Sequence, residues 1–210
     1  MTHNYIPPIP PTSIGEDHLW REWLKKVQTQ INALIDISSE RVTYFFSNIS
    51  SDIATYKEAT RLDVAALGTA GSSAVSCNTS GVLIVSFATA SGFPGDITIP
   101  PGVYYCHFET VKTAGANNYY CHFKLYKRDS AGTETLLLTS DRSSETAVNT
   151  DQQVTITALS LDSIRLLATD RLVIKLYGTL LSSTATITIT YGADTNARLS
   201  LPVGIYNART

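Results

Sequence analysis

Charged side chains are scarce in this sequence of 210 residues. They make up 16% of the chain, and the formal net charge at pH 7 is −2. Soluble domains carry about 25% charged residues, and nucleic-acid-binding domains add a basic patch. We therefore expect no nucleic acid among the partners. Apolar residues reach 43%, which is enough to form a core and excludes a disordered chain.

Membrane and secretion signals are also missing. No apolar run approaches the roughly 20 residues that cross a bilayer, so we expect no membrane partner. The first residues, MTHNYIPPIPP, lack the charged and apolar regions of a secretory signal. Three cysteines are an odd number and do not form a complete disulfide framework. These absences predict a chain made in a reducing cytoplasm, or built into a particle assembled there.

Sequence motifs for catalysis are absent as well. The chain has no G-x-S-x-G, H-E-x-x-H, P-loop or G-x-G-x-x-G pattern. Its acidic residues fall mostly in predicted turns, where Asp side chains usually bond their own backbone. We therefore predict no catalytic residue, no cofactor and no enzyme activity.

A pentapeptide, YYCHF, occurs twice, at Tyr104–Phe108 and at Tyr119–Phe123. Cys-His pairs raise the idea of a zinc site. Neighbouring residues of a strand point to opposite faces, so the Cys and His of one copy cannot bind one metal ion together. We predict no metal site and interpret Cys106 and Cys121 as small buried side chains, with a disulfide between them as the minor alternative. His107 and His122 are then predicted to point outward.

The first of three predicted zones is a Pro-rich arm at residues 1–14. IPPIPP favours an extended polyproline conformation without internal hydrogen bonds. Such an arm needs a surface to lie on, and we predict that it docks on a partner chain. Packing on its own domain is the alternative. The predicted docking residues are Tyr5, Ile6, Pro7, Pro8, Ile9, Pro10 and Pro11.

The second zone, residues 15–67, is predicted to be helical. Ser13 and Glu16 have the spacing of a capping box, and no Pro or Gly lies between Glu16 and Leu67. Apolar residues recur at steps of three and four, which predicts a coiled-coil seam and a homotrimer. A hairpin packed on the chain's own β-domain is the alternative, and a kink near Ser38 is left open. The predicted seam contains Trp20, Leu24, Val27, Ile31, Leu34, Val42, Phe46, Ile49 and Ile53.

The third zone follows a small-residue linker at 68–80 and covers residues 81–210. Its apolar residues alternate with polar ones, and turn signals separate the runs. About eight strands without helices between them predict an antiparallel, jelly-roll-like β-sandwich. The predicted strands are Val82–Ala88, Asp96–Ile99, Val103–Lys112, Tyr119–Arg128, Glu134–Ser140, Gln152–Leu159, Arg171–Leu180 and Thr184–Tyr191.

Three segments of this zone resemble a β-rich module of tailed-bacteriophage virion proteins. They are GVYYCHF at Gly102–Phe108, LYKRDSAGTETLL at Leu125–Leu137 and ATDRLVIKLY at Ala168–Tyr177. The N-terminal prolines followed by DHLWREWL are similar to phage attachment segments. The resemblance covers roughly residues 100–202. It implies a virion component and no enzyme activity, and it does not distinguish fibres, spikes and capsid-decorating proteins.

The sequence thus predicts a trimeric virion structural protein, either a cement or decoration protein or a short fibre. Its arm would attach to the major capsid protein or to a tail or portal protein, and its location would be the capsid surface or tail. One alternative is a receptor-binding fibre that contacts a host glycan through Asn117, Asn118 and Tyr119. A glycan-degrading tail enzyme is the second alternative.

Overall fold

The computed structural model describes residues 23–24, 26–27, 41–61, 67–95, 97–112, 118–146, 151–182, 184–192 and 195–202. The chain divides into two compact units, Met1–Arg41 and Val42–Thr210. In the first unit the described residues Trp23, Leu24, Lys26 and Val27 are helical. The predicted arm lies outside the described residues, and so do Trp20, Ile31 and Leu34 of the seam. None of the described helical residues belongs to a segment long and apolar enough to span a membrane.

The second unit is built from strands, as the prediction of a mainly β fold requires. Alternating apolar residues, many of them β-branched or aromatic, favour this backbone because one face can be buried. The strands are β1 (Arg41–Ser50), β2 (Lys57–Thr60), β3 (Gly71–Cys77), β4 (Val82–Ala88), β5 (Ile97–Ile99), β6 (Gly102–Lys112), β7 (Tyr119–Arg128), β8 (Glu134–Thr139), β9 (Gln152–Ser160), β10 (Ile164–Leu166), β11 (Arg171–Leu180), β12 (Ala185–Tyr191) and β13 (Arg198–Pro202).

The eight predicted strands are all present in the described residues. β4, β7 and β11 have the predicted bounds, and each of the other five differs by one residue at one end. Period-two alternation locates these strands, and Gly, Pro and Asn clusters end them. The sequence did not indicate β1, β2, β3, β10 or β13.

One large sheet contains eleven of the strands. Their order is β3-β12-β6-β13-β1-β2-β4-β11-β7-β8, with β9 paired to β6, and β5 and β10 form a separate two-stranded sheet. Among the pairs whose register is described, β2 with β4 is parallel and the rest are antiparallel. A backbone hydrogen bond of 3.0 Å from Asp141 N to Thr157 O brings the chain after β8 against β9.

The core lies between the inward faces of these strands. Phe46 stacks on Phe87 with ring centroids 4.2 Å apart, and Tyr191 meets Phe87 edge-on at 5.1 Å. Gly178 of β11 lies against side chains of other strands in the core. A Cβ atom there would be 2.7 Å from Cδ1 of Ile187, so no larger residue fits without a shift in the core.

The segment from Arg41 to Thr60 corrects the predicted helical zone, because it forms β1 and β2. Val42 and Phe46 are buried in the chain's own core, with 8% and 0% exposure, and Ile49 is 44% exposed. Ile53 is half-buried in the β1–β2 connection. Residues four apart share a face in a strand as well as in a helix, so their spacing did not distinguish the two. The β-branched and aromatic content of VTYFF favours the strand.

The predicted linker is corrected as well. Gly71–Cys77 forms β3, which pairs with β12 from Ser76 opposite Thr186 to Gly71 opposite Tyr191. Small residues suggested flexibility, but backbone pairing needs no large side chain. The described strands therefore begin well before the predicted boundary at residue 81.

Candidate functional site

The two YYCHF copies lie in β6 and β7 with the predicted alternation. Cys106 and Cys121 are fully buried, whereas His107 and His122 lie on the opposite faces of their strands and are half-buried. His107 is 2.8 Å from the hydroxyl of Thr155. Among the described residues, no group of three or more His, Cys, Asp or Glu side chains is arranged to hold a metal ion.

The three cysteines are free thiols inside the core. Burial raises the pKa of Cys77 to about 11 and that of Cys121 to about 12. Burial also raises the pKa of Cys106, and the neighbouring Cys121 adds to the effect. All three are therefore protonated at neutral pH, which makes them poor nucleophiles and poor metal ligands.

The predicted glycan contact at Tyr119 is wrong, because this side chain is 1% exposed. Tyr119 begins β7 on the face that also carries Cys121 and Phe123, and this face points into the core. Asn118 is half-exposed, and its side-chain amide is 3.5 Å from Glu145. Asn117 lies outside the described residues.

A polar cleft of about 510 Å³ instead lies where four connections between strands meet. These are the β1–β2 connection, the chain after β4, the β7–β8 turn and the chain before β11. Arg128 and Arg171 line the cleft from the ends of their strands. We call this the end cleft.

The two arginines face each other directly across β7 and β11. Like charges in this position repel, so each needs a carboxylate. Arg171 donates two hydrogen bonds to Asp52, of 2.6 and 2.9 Å. Arg128 donates one of 3.1 Å to Glu134. The arginine pair is therefore neutralised from two different parts of the chain.

The β1–β2 connection brings Asp52 to the end cleft. Backbone hydrogen bonds join Ser51 N to Tyr56 O and Tyr56 N to Ile53 O, at 2.9 and 3.1 Å. Thr55 has φ of 71°, an unusual value for a β-branched residue. The hydrogen bonds from Arg171 hold the pKa of Asp52 at about 2. The side chain of Asp52 remains 61% exposed, so its carboxylate also faces solvent.

The β7–β8 turn also lines the end cleft, and it is the reversal predicted from LYKRDSAGTETLL. Gly132 N donates to Asp129 O at 3.0 Å, and Thr133 N donates to Oδ1 of Asp129 at 2.8 Å. Gly132 has φ of 88°, which favours glycine, and a Cβ atom there would be 2.9 Å from Nη2 of Arg128. The backbone of Gly132 therefore lies close to the guanidinium of Arg128.

A network centred on Glu134 lies beside the end cleft. Glu134 accepts hydrogen bonds from the Tyr56 hydroxyl at 2.7 Å and from Arg128, and Lys175 Nζ is 2.6 Å away. Lys175 Nζ also lies 4.9 Å from the centroid of the Tyr126 ring. We call these residues the Glu134 network.

The Glu134 network keeps its charges. Burial raises the pKa of Glu134, but the hydrogen bonds with Lys175 and Tyr56 outweigh it and lower the pKa overall. For Lys175, burial lowers the pKa, and the bonds with Glu134 and Tyr56 raise it overall. A general acid or base works best with a pKa near the operating pH. These shifts therefore suit a network that holds side chains in place.

Sequence reasoning found only part of this site. Arg128, Asp129 and Arg171 lie in the quoted motifs LYKRD and ATDRL, whose local pattern indicates only hairpin residues. Asp52 was missed because its segment was predicted to be helical, and it is 119 residues from Arg171. The charged residues at the motif ends were the available signal.

No family model matches the chain, and no curated protein sequence matches it significantly. Two crystal structures of a CocE/NonD family hydrolase from Staphylococcus aureus resemble it with TM-scores of 0.47 and 0.48, at 10% and 11% identity. They cover 77% and 90% of this chain, which spans 41% and 47% of the hydrolase chains. The chain thus covers less than half of their length.

Two more solved structures show looser similarity. One is of the infectious bursal disease virus Gx strain, with a TM-score of 0.32, 8% identity, and coverage of 78% of this chain and 40% of that chain. The other is the Eiger TNF from S. frugiperda, with a TM-score of 0.29 and 15% identity. That match covers 73% of this chain and 94% of the TNF chain. All of these TM-scores lie below 0.5, so we assign neither family nor reaction from the similarities.

The prediction that the chain is not an enzyme nevertheless needs correction. The sequence-based argument relied only on missing motifs, and two of the similar structures named above are of a hydrolase, at TM-scores below 0.5. Missing linear motifs do not exclude catalysis, because the groups of an active site converge in space from distant parts of a chain. We withdraw that prediction.

Proposed function

We propose that this chain is a structural protein of a tailed-bacteriophage particle, acting as a cement or decoration protein or as a short fibre. The observation that carries the proposal is the placement of the motifs that resemble phage modules. Leu125–Leu137 forms the β7–β8 hairpin, and Ala168–Tyr177 leads into β11, which pairs with β7 along its whole length. These two motifs thus form one continuous piece of sheet, as expected of a shared module, and the third, Gly102–Phe108, lies in β6 of the same sheet.

The β-unit in this proposal is a jelly-roll-like sandwich that projects from the particle. Its antiparallel strands, its alternating burial and its core of stacked aromatic side chains support that assignment. Paired strands with a buried inner face suit a rigid projecting knob.

Attachment is proposed to come from the N-terminal segment. The arm would dock on the major capsid protein or on a tail or portal protein, and the helical segment before β1 would join three copies. A trimer presents three arms, so weak individual contacts add through effective concentration. The proposed seam now comprises the residues ahead of β1, which are Trp20, Leu24, Val27, Ile31 and Leu34.

Light scattering tests the trimer. The purified protein should have about three times the mass of one chain, which is 22.8 kDa. Replacing Leu24 and Ile31 with Asp should give monomers that keep the β-sheet signal in circular dichroism. A monomeric wild-type protein would contradict the trimer.

Particle incorporation tests the attachment. In phage that encode this chain, deletion of Met1–Pro11 should abolish incorporation while the purified variant keeps its oligomeric state. Electron microscopy of wild-type particles with labelled copies would then distinguish capsid lattice, vertices and tail. Absence of the full-length protein from purified particles would contradict the proposed function.

Recognition of a host glycan remains a second candidate function, and the end cleft favours it. The contact first predicted for it, Tyr119, is buried. The end cleft is open to solvent and lies on connections between strands, where binding residues are often found.

A further inference from the structure

The charged side chains that line the end cleft balance one another. Asp52 and Asp129 contribute two negative charges, and Arg128 and Arg171 contribute two positive charges. An anionic ligand would meet guanidinium groups that Asp52 and Glu134 already neutralise. A metal cation would have to compete with Arg171 for Asp52. The end cleft therefore suits a neutral ligand better than an ion.

Hydroxyl and carboxylate groups both line the end cleft. Ser91, Ser130 and Thr169 are exposed and offer hydroxyls that both donate and accept. A carboxylate has about four acceptor positions. Arg171 and the Ser51 hydroxyl occupy three of those on Asp52, and its exposed side leaves room for another donor. A ligand that matches this lining needs several groups that donate and accept at short spacing.

The size and the apolar groups of the end cleft narrow the ligand class. Its volume of about 510 Å³ falls in the range of roughly 300–1,000 Å³ that holds small molecules. Ile53 and Ala131 add apolar contacts among the polar groups. Sugars present hydroxyls at their edge and C–H groups on their faces, so they match both kinds of contact.

We propose that the end cleft binds neutral hexose units of a surface glycan. Asp52 accepts hydrogen bonds from sugar hydroxyls while Arg171 holds its carboxylate in position. The turn hydroxyl of Ser130 and the hydroxyl of Thr169, which also line the end cleft, provide further hydrogen bonds. The inference deepens the second candidate function and depends on the proposed function only for its biological setting.

Saturation-transfer NMR on the full chain tests this binding. The probes are methyl α-D-glucopyranoside, methyl β-D-galactopyranoside and N-acetyl-D-glucosamine at millimolar concentration, with D-glucuronate as the anionic comparison. We expect saturation transfer to at least one neutral sugar and a weaker signal for glucuronate. The absence of transfer to all three neutral sugars, or stronger binding of glucuronate, would overturn the proposal.

Matched variants locate the site. Asp52→Asn keeps the shape of the side chain and removes its charge, and Thr169→Val removes one exposed hydroxyl. Each should weaken binding about tenfold, as expected for the loss of roughly 1.4 kcal/mol of hydrogen bonding. Ser76→Ala, an exposed hydroxyl on β3 outside the end cleft, should leave binding unchanged. Unchanged affinity in both cleft variants would overturn the assignment.

Two further measurements keep the outcomes separate. Thermal melts of the variants show whether each one remains folded. Ser130→Ala, which removes another hydroxyl of the end cleft, takes the place of any variant that does not fold. Particle incorporation of Asp52→Asn should match that of the wild type. A wild-type protein that enters particles but binds none of the neutral sugars would contradict only this inference. A wild-type protein that binds sugar but does not enter particles would contradict the proposed function alone.

Discussion

The outward side chains of β11 and β12 differ in kind, although both strands belong to the same sheet and alternate toward the same core. β11 presents Arg171, Lys175 and Tyr177, whereas β12 presents Thr186, Thr188 and Thr190. With their neighbours they form two surfaces. The charged face contains Lys124, Tyr126, Glu134, Lys175 and Tyr177, and the hydroxyl face contains Ser72, Ser76, Thr186, Thr188 and Thr190.

The two faces satisfy their polar groups in different ways, one through contacts between side chains and the other through water. On the charged face each group depends on others: Tyr177 stacks on His122 at 5.0 Å, and Lys124 lies 4.9 Å from the Tyr177 ring centroid. On the hydroxyl face, Ser72 and Ser76 are exposed, so water can satisfy their hydroxyls. Side-chain replacement should therefore affect stability far more on the first face than on the second.

The largest difference is expected at the Glu134 network. Glu134→Ala removes the partner of Lys175 and Arg128, whose side chains are only 16% and 25% exposed. An unpaired, largely buried charge is costly, so we expect a loss of about 2–3 kcal/mol in the free energy of unfolding. Urea unfolding measures this loss. Thr186→Val on the hydroxyl face is the matched control, with an expected change within about 0.5 kcal/mol, and equal losses at both sites would contradict the comparison.

A smaller loss is expected in the β7–β8 turn. Gly132→Ala introduces a side chain at positive φ and against the guanidinium of Arg128, so we expect about 1–2 kcal/mol of destabilisation. Ser130→Ala, in the same turn but without a positive φ, should change the free energy of unfolding by a few tenths of a kcal/mol. A similar result for both variants would show that Gly132 is not needed for turn geometry.

The Asp52–Arg171 pair should contribute less, because Asp52 is exposed. Its pKa is about 2 in the folded chain and 3.8 ordinarily, so the pair stabilises the fold above about pH 4 and loses this effect as the pH falls toward 2. Exposed ion pairs contribute about 0–1 kcal/mol, which sets the expected cost of Asp52→Asn at pH 7. Melting curves of the wild type and of Asp52→Asn from pH 2 to pH 7 would measure this difference in stability. A variant whose acid sensitivity matches that of the wild type would argue against the pair.

The smallest effect is expected from His122, whose pKa is lowered by burial and further by the charges of Lys124 and Arg142. In the unfolded chain, His122 takes up a proton at about pH 6.5. In the folded chain, it does so only at a lower pH. Stability should therefore fall as the pH drops through 6.5. His122→Gln should flatten this part of the melting profile. A wild-type profile that is flat between pH 5 and 7 would contradict the prediction.

The sequence predicted the strands that carry the charged face and β12 of the hydroxyl face, but it predicted neither β3 nor the contacts between strands. β7 and β11 have the predicted bounds because their alternation and turn residues are local signals. The pairing of Asp52 with Arg171 joins residues 119 positions apart, and no local pattern encodes such a contact. Tyr119 shows a different limit, because its position beside a predicted loop suggests an accessible side chain although its strand face points inward.

The four-residue spacing in β1 explains the largest error. Val42 and Phe46 fit a helical stripe, and they fit equally well on one face of a strand that includes Tyr44 between them. All three are buried. Spacing by two, visible once Tyr44 is included, would have favoured the strand, as would the β-branched content of the segment.

The burial of all three cysteine thiols has a practical consequence. In solutions that contain dissolved oxygen, thiols at a protein's surface join neighbouring molecules through disulfide bonds. Cys77, Cys106 and Cys121 are shielded from that reaction by the sheet. A single cysteine engineered into an accessible turn would therefore be the one position to take a maleimide dye, so the protein can be labelled at a chosen site without first removing any native residue.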